Sequence, residues 1–183
     1  MSGTPWETIV GHGRFNRTGI LMAEPRFLCD EMLQRLGRWL RAAGYDTAIA
    51  TAGADDGELA RQAVAEERWL LTRDREMARL RNGDGRVVWL AENALPEQIA
   101  AVTQRFAIGW LSRPFSRCLD CNTPLIPARP EQYAQLPQGA LLTSPQAWFC
   151  PRCDKLYWEG SHLRRMRHTL ENFARGDWVI ATD

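Results

Sequence analysis

Two Cys-x-x-Cys pairs, Cys118/Cys121 and Cys150/Cys153, constrain the architecture of this chain more than any other feature. Four thiolates satisfy a tetrahedral Zn²⁺ ion, and the two-residue spacer lets both sulfurs of one pair reach the same ion. The 28 residues between the pairs are more than a compact ribbon uses. They pose no closure problem, because loop entropy grows slowly with length. An all-cysteine set leaves no open coordination position, so such a zinc is structural rather than catalytic. The competing reading is a pair of exposed redox dithiols. It is disfavoured because a redox Cys-x-x-Cys opens a helix, whereas Pro151 and the loop prolines around these pairs do not favour one. The fifth cysteine, Cys29, stands alone in an apolar run and reads as a buried strand residue.

A zinc module of this kind cannot account for the whole chain. At 183 residues the prior is one domain with an appendage too small to need a large core of its own. The composition, 45% hydrophobic and 25% charged, is that of a globular protein and excludes disordered and fibrous classes. A net charge of +1 provides no global field, so nucleic-acid binding would need a local patch. No apolar run approaches the roughly 18 residues of a membrane span, and the first 25 residues lack a charged start followed by an apolar block. The chain reads as cytoplasmic, with no membrane partner, where thiols stay reduced and serve metals rather than disulfides.

Residues 1–25 show neither helical nor strand periodicity and read as an N-terminal extension. From Arg26 the pattern alternates. Apolar runs at 26–29, 45–50, 69–72 and 87–90 predict buried strands. Helical spacing follows each, at 31–43, from Asp55 to about Glu67, at 75–81 and at 96–108, with Gly44 as a helix stop. This order predicts an α/β fold, a parallel sheet flanked by helices, over residues 26–111. The stretch 112–116 reads as a linker. Between 122 and 149 lie five of the ten prolines, so that part is loop-rich. Leu163, Met166, Leu170 and Phe173 mark a terminal amphipathic helix, so 112–183 is expected to be a Cys₄ zinc ribbon with that helix.

Ligands of parallel α/β sheets bind beyond the carboxyl ends of the strands, and Asp30, Asp55/Asp56 and Asp74 fall at such ends or at the next helix start. Two readings stand side by side. The acids can be helix N-terminal residues, each stabilising a first turn by up to about 1 kcal/mol. Alternatively they form a shared anionic pocket whose natural counter-ion is a hard divalent cation, Mg²⁺ or Mn²⁺, that activates water for phosphodiester hydrolysis. Asp55 fits a capping pattern with Glu58, which leaves Asp56 the freer of the two. Glu76, two residues beyond Asp74, is a further candidate ligand.

Several segments, in this order, carry a family resemblance. They are Phe27-Leu28-Cys29-Asp30-Glu31-Met32-Leu33, Leu36-Gly37-Arg38-Trp39-Leu40-Arg41, Gly44-Tyr45-Asp46, Asp56-Gly57-Glu58-Leu59-Ala60 and Leu70-Leu71-Thr72-Arg73-Asp74-Arg75-Glu76. They resemble the PIN-like ribonuclease domain named after the carboxy-terminal part of the nematode "mutator seven" protein. The likeness continues through Cys118-x-x-Cys121-Asn122, Cys150-Pro151-x-Cys153 and Tyr157-Trp158-Glu159-Gly160-Ser161-His162, covering about 26–168. It implies a PIN-like fold, metal-dependent RNA hydrolysis and an added zinc ribbon. By position it implies catalytic, metal-binding roles for Asp30, Asp56 and Asp74. Glu76 departs from the aspartate that many PIN domains place there.

A nuclease needs positive charge beside its acids. Arg152, Lys155, Arg164 and Arg165, interleaved with Tyr157, Trp158 and His162, are the expected RNA-binding set: the cations pair phosphates and an aromatic stacks on a base. The alternative is a solvated helix face with its aromatics packed on the zinc module. No serine or cysteine pairs with a histidine at a meaningful position, which disfavours covalent catalysis. The function expected from sequence is thus a Mg²⁺- or Mn²⁺-dependent ribonuclease with a structural zinc ribbon. The alternative class is a non-catalytic RNA-binding or adaptor protein whose acids only cap helices.

Overall fold

The structure, a computed structural model, describes residues 24–79, 86–137, 139–140 and 146–181, together with the backbone of 14–15 and 21–22. In the extension, β1 (Arg14–Phe15) and β2 (Leu21–Met22) pair antiparallel. The α/β part then follows as β3 (Phe27–Cys29), a single 3₁₀ turn (Glu31–Leu33) and α1 (Gln34–Ala42). It continues as β4 (Thr47–Ile49), α2 (Asp56–Ala65), β5 (Trp69–Thr72), α3 (Arg75–Arg79), β6 (Val87–Trp89) and α4 (Leu95–Phe106). The alternation legible in the sequence is therefore the alternation of the fold. Its strands are shorter than their apolar runs: Tyr45 and Asp46 lie before β4 and Leu90 after β6. The helix pattern at 75–81 ends within the described residues at Arg79.

The four strands form one parallel sheet in the order β4-β3-β5-β6. β3 is central and all three of its residues are buried, as expected of a parallel strand covered on both faces. The pleat sends alternate residues to opposite faces. Phe27 and Cys29, with Leu71, join Leu36 and Leu40 of α1 and Ile99 of α4 in one core. Leu28 and Leu70 face the other way and pack with Leu59, Ala60 and Ala63 of α2 and Met77 of α3. Gly37 lets α1 approach the sheet closely, since a Cβ there would lie 2.8 Å from Ile49 Cγ1 and 3.3 Å from Cys29 Sγ. Gly44, at φ +94°, ends the α1 region in the left-handed conformation that glycine favours.

The zinc-ribbon part consists of β7 (Ile126–Pro127), a short α5 (Pro130–Tyr133), β8 (Ala147–Phe149) and β9 (Leu156–Trp158). The three strands make an antiparallel sheet in the order β7-β8-β9. The 112–116 stretch does not behave as a free linker. Phe115 is buried and its backbone N–H donates to Ala42 O at 2.7 Å, while Trp110 just before it lies in the core. The terminal helix α6 (Ser161–Ala174) returns to the α/β part. Its Leu163, Leu170 and Phe173 belong to the same core as α1, with the Phe173 ring set edgewise against Trp39 and Trp110 at 5.4 and 5.1 Å. Among the described residues no helix is long and apolar enough to cross a membrane.

Candidate functional site

In the strand order β4-β3-β5-β6 the chain leaves β3 toward one edge to make β4 and crosses back to the other side to make β5. Above the carboxyl ends of β3 and β5 the connections diverge and leave a crevice, where open α/β sheets bind ligands. An open cleft occupies this place, and Asp30, Glu31, Asp56 and Asp74, with Thr51, contribute its polar lining. Met32, Ala50, Leu59 and Met77 supply much of the apolar remainder, and among the described residues no lysine or arginine lines it.

Each carboxylate is placed by its own element. Asp30 follows β3 and is buried to 3% exposure. Its Oδ1 accepts the N–H of Leu33 and its Oδ2 that of Arg73, each at 3.0 Å, so it ties the start of α1 to the β5–α3 turn. Asp74 follows β5. Its N–H donates to Thr72 Oγ1 at 2.9 Å, and its Oδ1 accepts from Glu76 N at 2.6 Å, which caps α3. Asp55 caps α2 by accepting Glu58 N at 2.9 Å, and it is the next residue, Asp56, that lines the cleft. The Asp56 carboxylate makes no hydrogen bond among the described residues. Partial burial, followed by the charges of Asp74, Asp55 and Asp30, raises its pKa above the ordinary 3.8. Capping and cleft-lining are thus compatible: Asp30 and Asp74 do both.

Two cleft features depart from the sequence analysis. Glu31, adjacent to Asp30, lines the cleft and accepts Gly53 N at 2.8 Å through Oε2, fixing the loop after β4. Its position directly after a strand-end aspartate was the available signal. Glu76 lies outside the lining; its carboxylate is exposed and paired with Arg79 one helical turn along. Cys29 sits beneath Asp30 with its thiol pushed far up by burial and by the Asp30 charge, which leaves it protonated and unreactive.

The four cysteines converge at the other end of α1. All four sulfurs lie within 4.8 Å of one another, with Cys121–Cys150 at 3.4 Å and Cys118–Cys153 and Cys150–Cys153 at 3.7 Å. Tetrahedral bonds of about 2.3 Å place ligand sulfurs about 3.8 Å apart, so this cluster could hold a metal such as zinc. The two knuckles fold alike. The N–H of Asn122 donates to Cys118 O and that of Asp154 to Cys150 O, each at 3.0 Å. Cys118 N donates to Thr123 O and Cys150 N to Lys155 O, each at 2.9 Å. Asn122 and Asp154 take left-handed backbone, φ +69° and +56°, which Asn and Asp tolerate better than most residues.

The first knuckle is docked on the α/β part by hydrogen bonds that periodicity could not reveal. Buried Arg41 of α1 donates to Thr47 O, Leu119 O and Asp120 O. Asn122 accepts Thr47 N through Oδ1 and donates to Asp46 Oδ1 at 2.7 Å. The Asp120 carboxylate pairs with Arg38 of α1 and with Lys155 of the second knuckle.

The residues expected to meet RNA are divided by the structure. Tyr157 turns its hydroxyl inward, within 3.2 Å of Cys118 Sγ and of Leu119 N. Trp158 is partly buried beside Gly160. Lys155 is exposed but paired with Asp120. Arg152, His162, Arg164 and Arg165 are exposed, and Arg164 donates to Glu159 O at 3.0 Å. None of the seven lines the acidic cleft.

A family model described as the Mut7-C RNAse domain matches residues 25–170, a span that includes both the acidic cleft and the four cysteines. No curated protein and no solved structure matches the chain.

Proposed function

The chain belongs to the Mut7-C RNAse domain family, and on that premise we propose that it is a divalent-metal-dependent ribonuclease acting at the acidic cleft, with zinc held by the four cysteines. The observation that carries the first part is a cleft at the sheet's switch point lined by Asp30, Glu31, Asp56 and Asp74 with no basic side chain among the described residues lining it to neutralise them. An all-oxygen donor set of this charge fits Mg²⁺ or Mn²⁺. Asp30, Asp56 and Asp74 would hold the cation. Their oxygens converge less tightly than the cysteine sulfurs, which alone among the described residues meet within 4.8 Å. When bound, such an ion lowers the pKa of a water and offsets the charge that develops on a phosphate.

The chain's own residues set the stage for that chemistry. Asp30 has one lone-pair direction on each oxygen fixed by a backbone N–H, so its remaining acceptor capacity is pre-aimed. Asp74 keeps Oδ2 free of the hydrogen bonds that hold Oδ1. Asp56, whose carboxylate makes no hydrogen bond among the described residues, keeps both oxygens available to such an ion. Water as nucleophile agrees with the inert state of Cys29. All-cysteine ligation of zinc, closed to substrate, gives that metal a structural part.

The decisive experiment is cleavage of mixed single-stranded and structured RNAs with Mg²⁺ or Mn²⁺ by the wild type, Asp30→Asn and Asp74→Asn at matched zinc content. Cleavage by the wild type is expected to fall at least about 100-fold in each variant, the scale of losing one properly placed acid–base or metal-holding group. Equal activity in all three proteins would remove the chemistry from this cleft. RNA binding without cleavage by any of them would favour the adaptor reading.

A further inference from the structure

The acidic cleft has a shoulder of the opposite character. β6 ends in Trp89, and between the buried Val88 and Leu90 its indole stands 39% exposed. The ring is held rather than loose. Its Nε1–H donates to Arg73 O at 3.2 Å, and the Arg75 guanidinium stacks 4.8 Å from the ring centroid. The same Arg73 donates its backbone N–H to Asp30 Oδ2, and Asp74 lies between Arg73 and Arg75 in the chain. Trp89 is therefore one peptide unit removed from two carboxylates of the cleft. Arg38 and Arg79 are committed to Asp120 and Glu76, but Arg75 has no carboxylate partner among the described residues. Among the described residues the cleft lining itself offers no cation to a polyanion. An arginine without an ion pair among the described residues and an exposed aromatic thus share one spot beside it.

We propose that Trp89, with Arg75 over its face, is a stacking platform for an unpaired base adjacent to the phosphate in the cleft, so that the enzyme selects single-stranded over paired RNA. The proposal rests on the ribonuclease reading of the same cleft. An exposed indole stacks on any base because every base has a π-face, whereas a paired base is already stacked in its helix. Arg75 can move from the ring to a flanking phosphate, or sandwich the base against it, because a guanidinium stacks and hydrogen-bonds in the same plane. Trp89 is a positioning residue under this reading, and it sets preference without taking part in bond cleavage.

The test is equilibrium binding of a fluorescein-labelled, unstructured 12-nucleotide RNA to the full zinc-loaded chain without added Mg²⁺ or Mn²⁺, with a duplex of the same sequence as comparison. Trp89→Leu keeps apolar bulk and removes the π-face; Trp89→Phe keeps a ring. Expected is a loss of roughly fivefold or more in single-strand affinity for Trp89→Leu, a change within about twofold for Trp89→Phe, and no change for duplex binding in either. An abasic nucleotide placed at successive positions should at one position reproduce the Trp89→Leu loss, and combining the two should add nothing further. Wild-type affinity in Trp89→Leu, equal wild-type affinity for duplex and single strand, or independent losses at every abasic position would each overturn the platform. Binding is read separately from cleavage. Retained cleavage in Asp30→Asn and Asp74→Asn sinks the acidic-site reading, while a normal Trp89→Leu sinks only the platform.

Discussion

Asp46, at the entry to β4, offers the most quantitative test of how the two parts of the chain are joined. Its carboxylate receives Arg68 Nη1 at 2.6 Å, Arg26 Nε at 3.1 Å and Asn122 Nδ2 at 2.7 Å, with Arg117 at 3.9 Å. One side chain thereby gathers the start of β3, the turn before β5 and the first cysteine knuckle. Burial alone would raise the Asp46 carboxyl, but the hydrogen bonds from Arg68 and Asn122 and the charges of Arg68 and Arg117 bring it down from 3.8 to about 2. That difference corresponds to about 2 kcal/mol of preference for the ionised form, and with its side chain only 21% exposed Asp46 is not strongly screened. Asp46→Asn should therefore lose about 2 kcal/mol at pH 7, which for a chain of this size is a Tm decrease of about 4–8 °C. The sign of the pH dependence follows from a depressed folded pKa: the contribution is complete above about pH 4 and is lost as pH falls toward 2. Thermal melts of wild type and variant by circular dichroism across pH 7 to 2 provide the comparison. Acid protonates the cysteine thiolates of both proteins alike, so the difference between the two melts is the quantity to follow. A shift below about 1 °C at pH 7, or a gap that persists unchanged in acid, would refute the assignment of Asp46 as an electrostatic hub.

Two further outcomes follow from the sites themselves. Asp56 carries a raised pKa from burial and like-charge neighbours, so its ionised form opposes folding at neutral pH when no cation is bound. Asp56→Asn should raise Tm in Mg²⁺-free buffer and abolish the Tm increase that Mg²⁺ gives the wild type; a variant that melts lower, or still responds to Mg²⁺, would contradict this. For the cysteine cluster, metal analysis should find one zinc per chain. Removing it with a strong chelator should cost several kcal/mol, or roughly 10 °C or more in Tm, and a chain that melts unchanged after zinc loss would show that the knuckles stand without metal.

The parallel sheet was legible in the sequence because its strands are buried on both faces and write themselves as unbroken apolar runs. Phe27-Leu28-Cys29 and Trp69-Leu70-Leu71-Thr72 have no other comfortable place in a globular chain. The cysteine cluster was legible for a different reason: two-residue spacing is a local geometric condition that lets both sulfurs of a pair reach one ion. What stayed hidden were contacts between residues far apart in sequence whose side chains carry no periodicity. The helical spacing at 31–43 does not distinguish Arg38 from Arg41, yet Arg41 is buried against the carbonyls of Leu119 and Asp120 and Arg38 pairs with the Asp120 carboxylate. Trp89 read as an ordinary strand residue, because nothing in a short apolar run tells which member is left facing solvent at the sheet's carboxyl edge. The 112–116 stretch looked like a linker for the same reason: a Pro-Phe pair gives no sign that the phenylalanine fills a pocket against α1.

These hidden contacts join the two sites that the matched span, residues 25–170, contains. Helix α1 is the common member. At its N-terminal end Asp30 accepts Leu33 N and thereby fixes where the cleft begins. At its C-terminal end Arg38 and Arg41 hold the first knuckle, and along its length Leu36 and Leu40 share a core with Leu170 and Phe173 of α6. Without the knuckle the Arg41 guanidinium would keep only Thr47 O of its three backbone acceptors, a larger loss than that of the exposed pairs around it. The cysteine-cluster part does more than extend the chain: it supplies two of the three backbone carbonyls that hold Arg41 of α1. The two sites are thus joined through α1 and the turn that precedes it, although among the described residues none of the cysteine-cluster part lines the cleft.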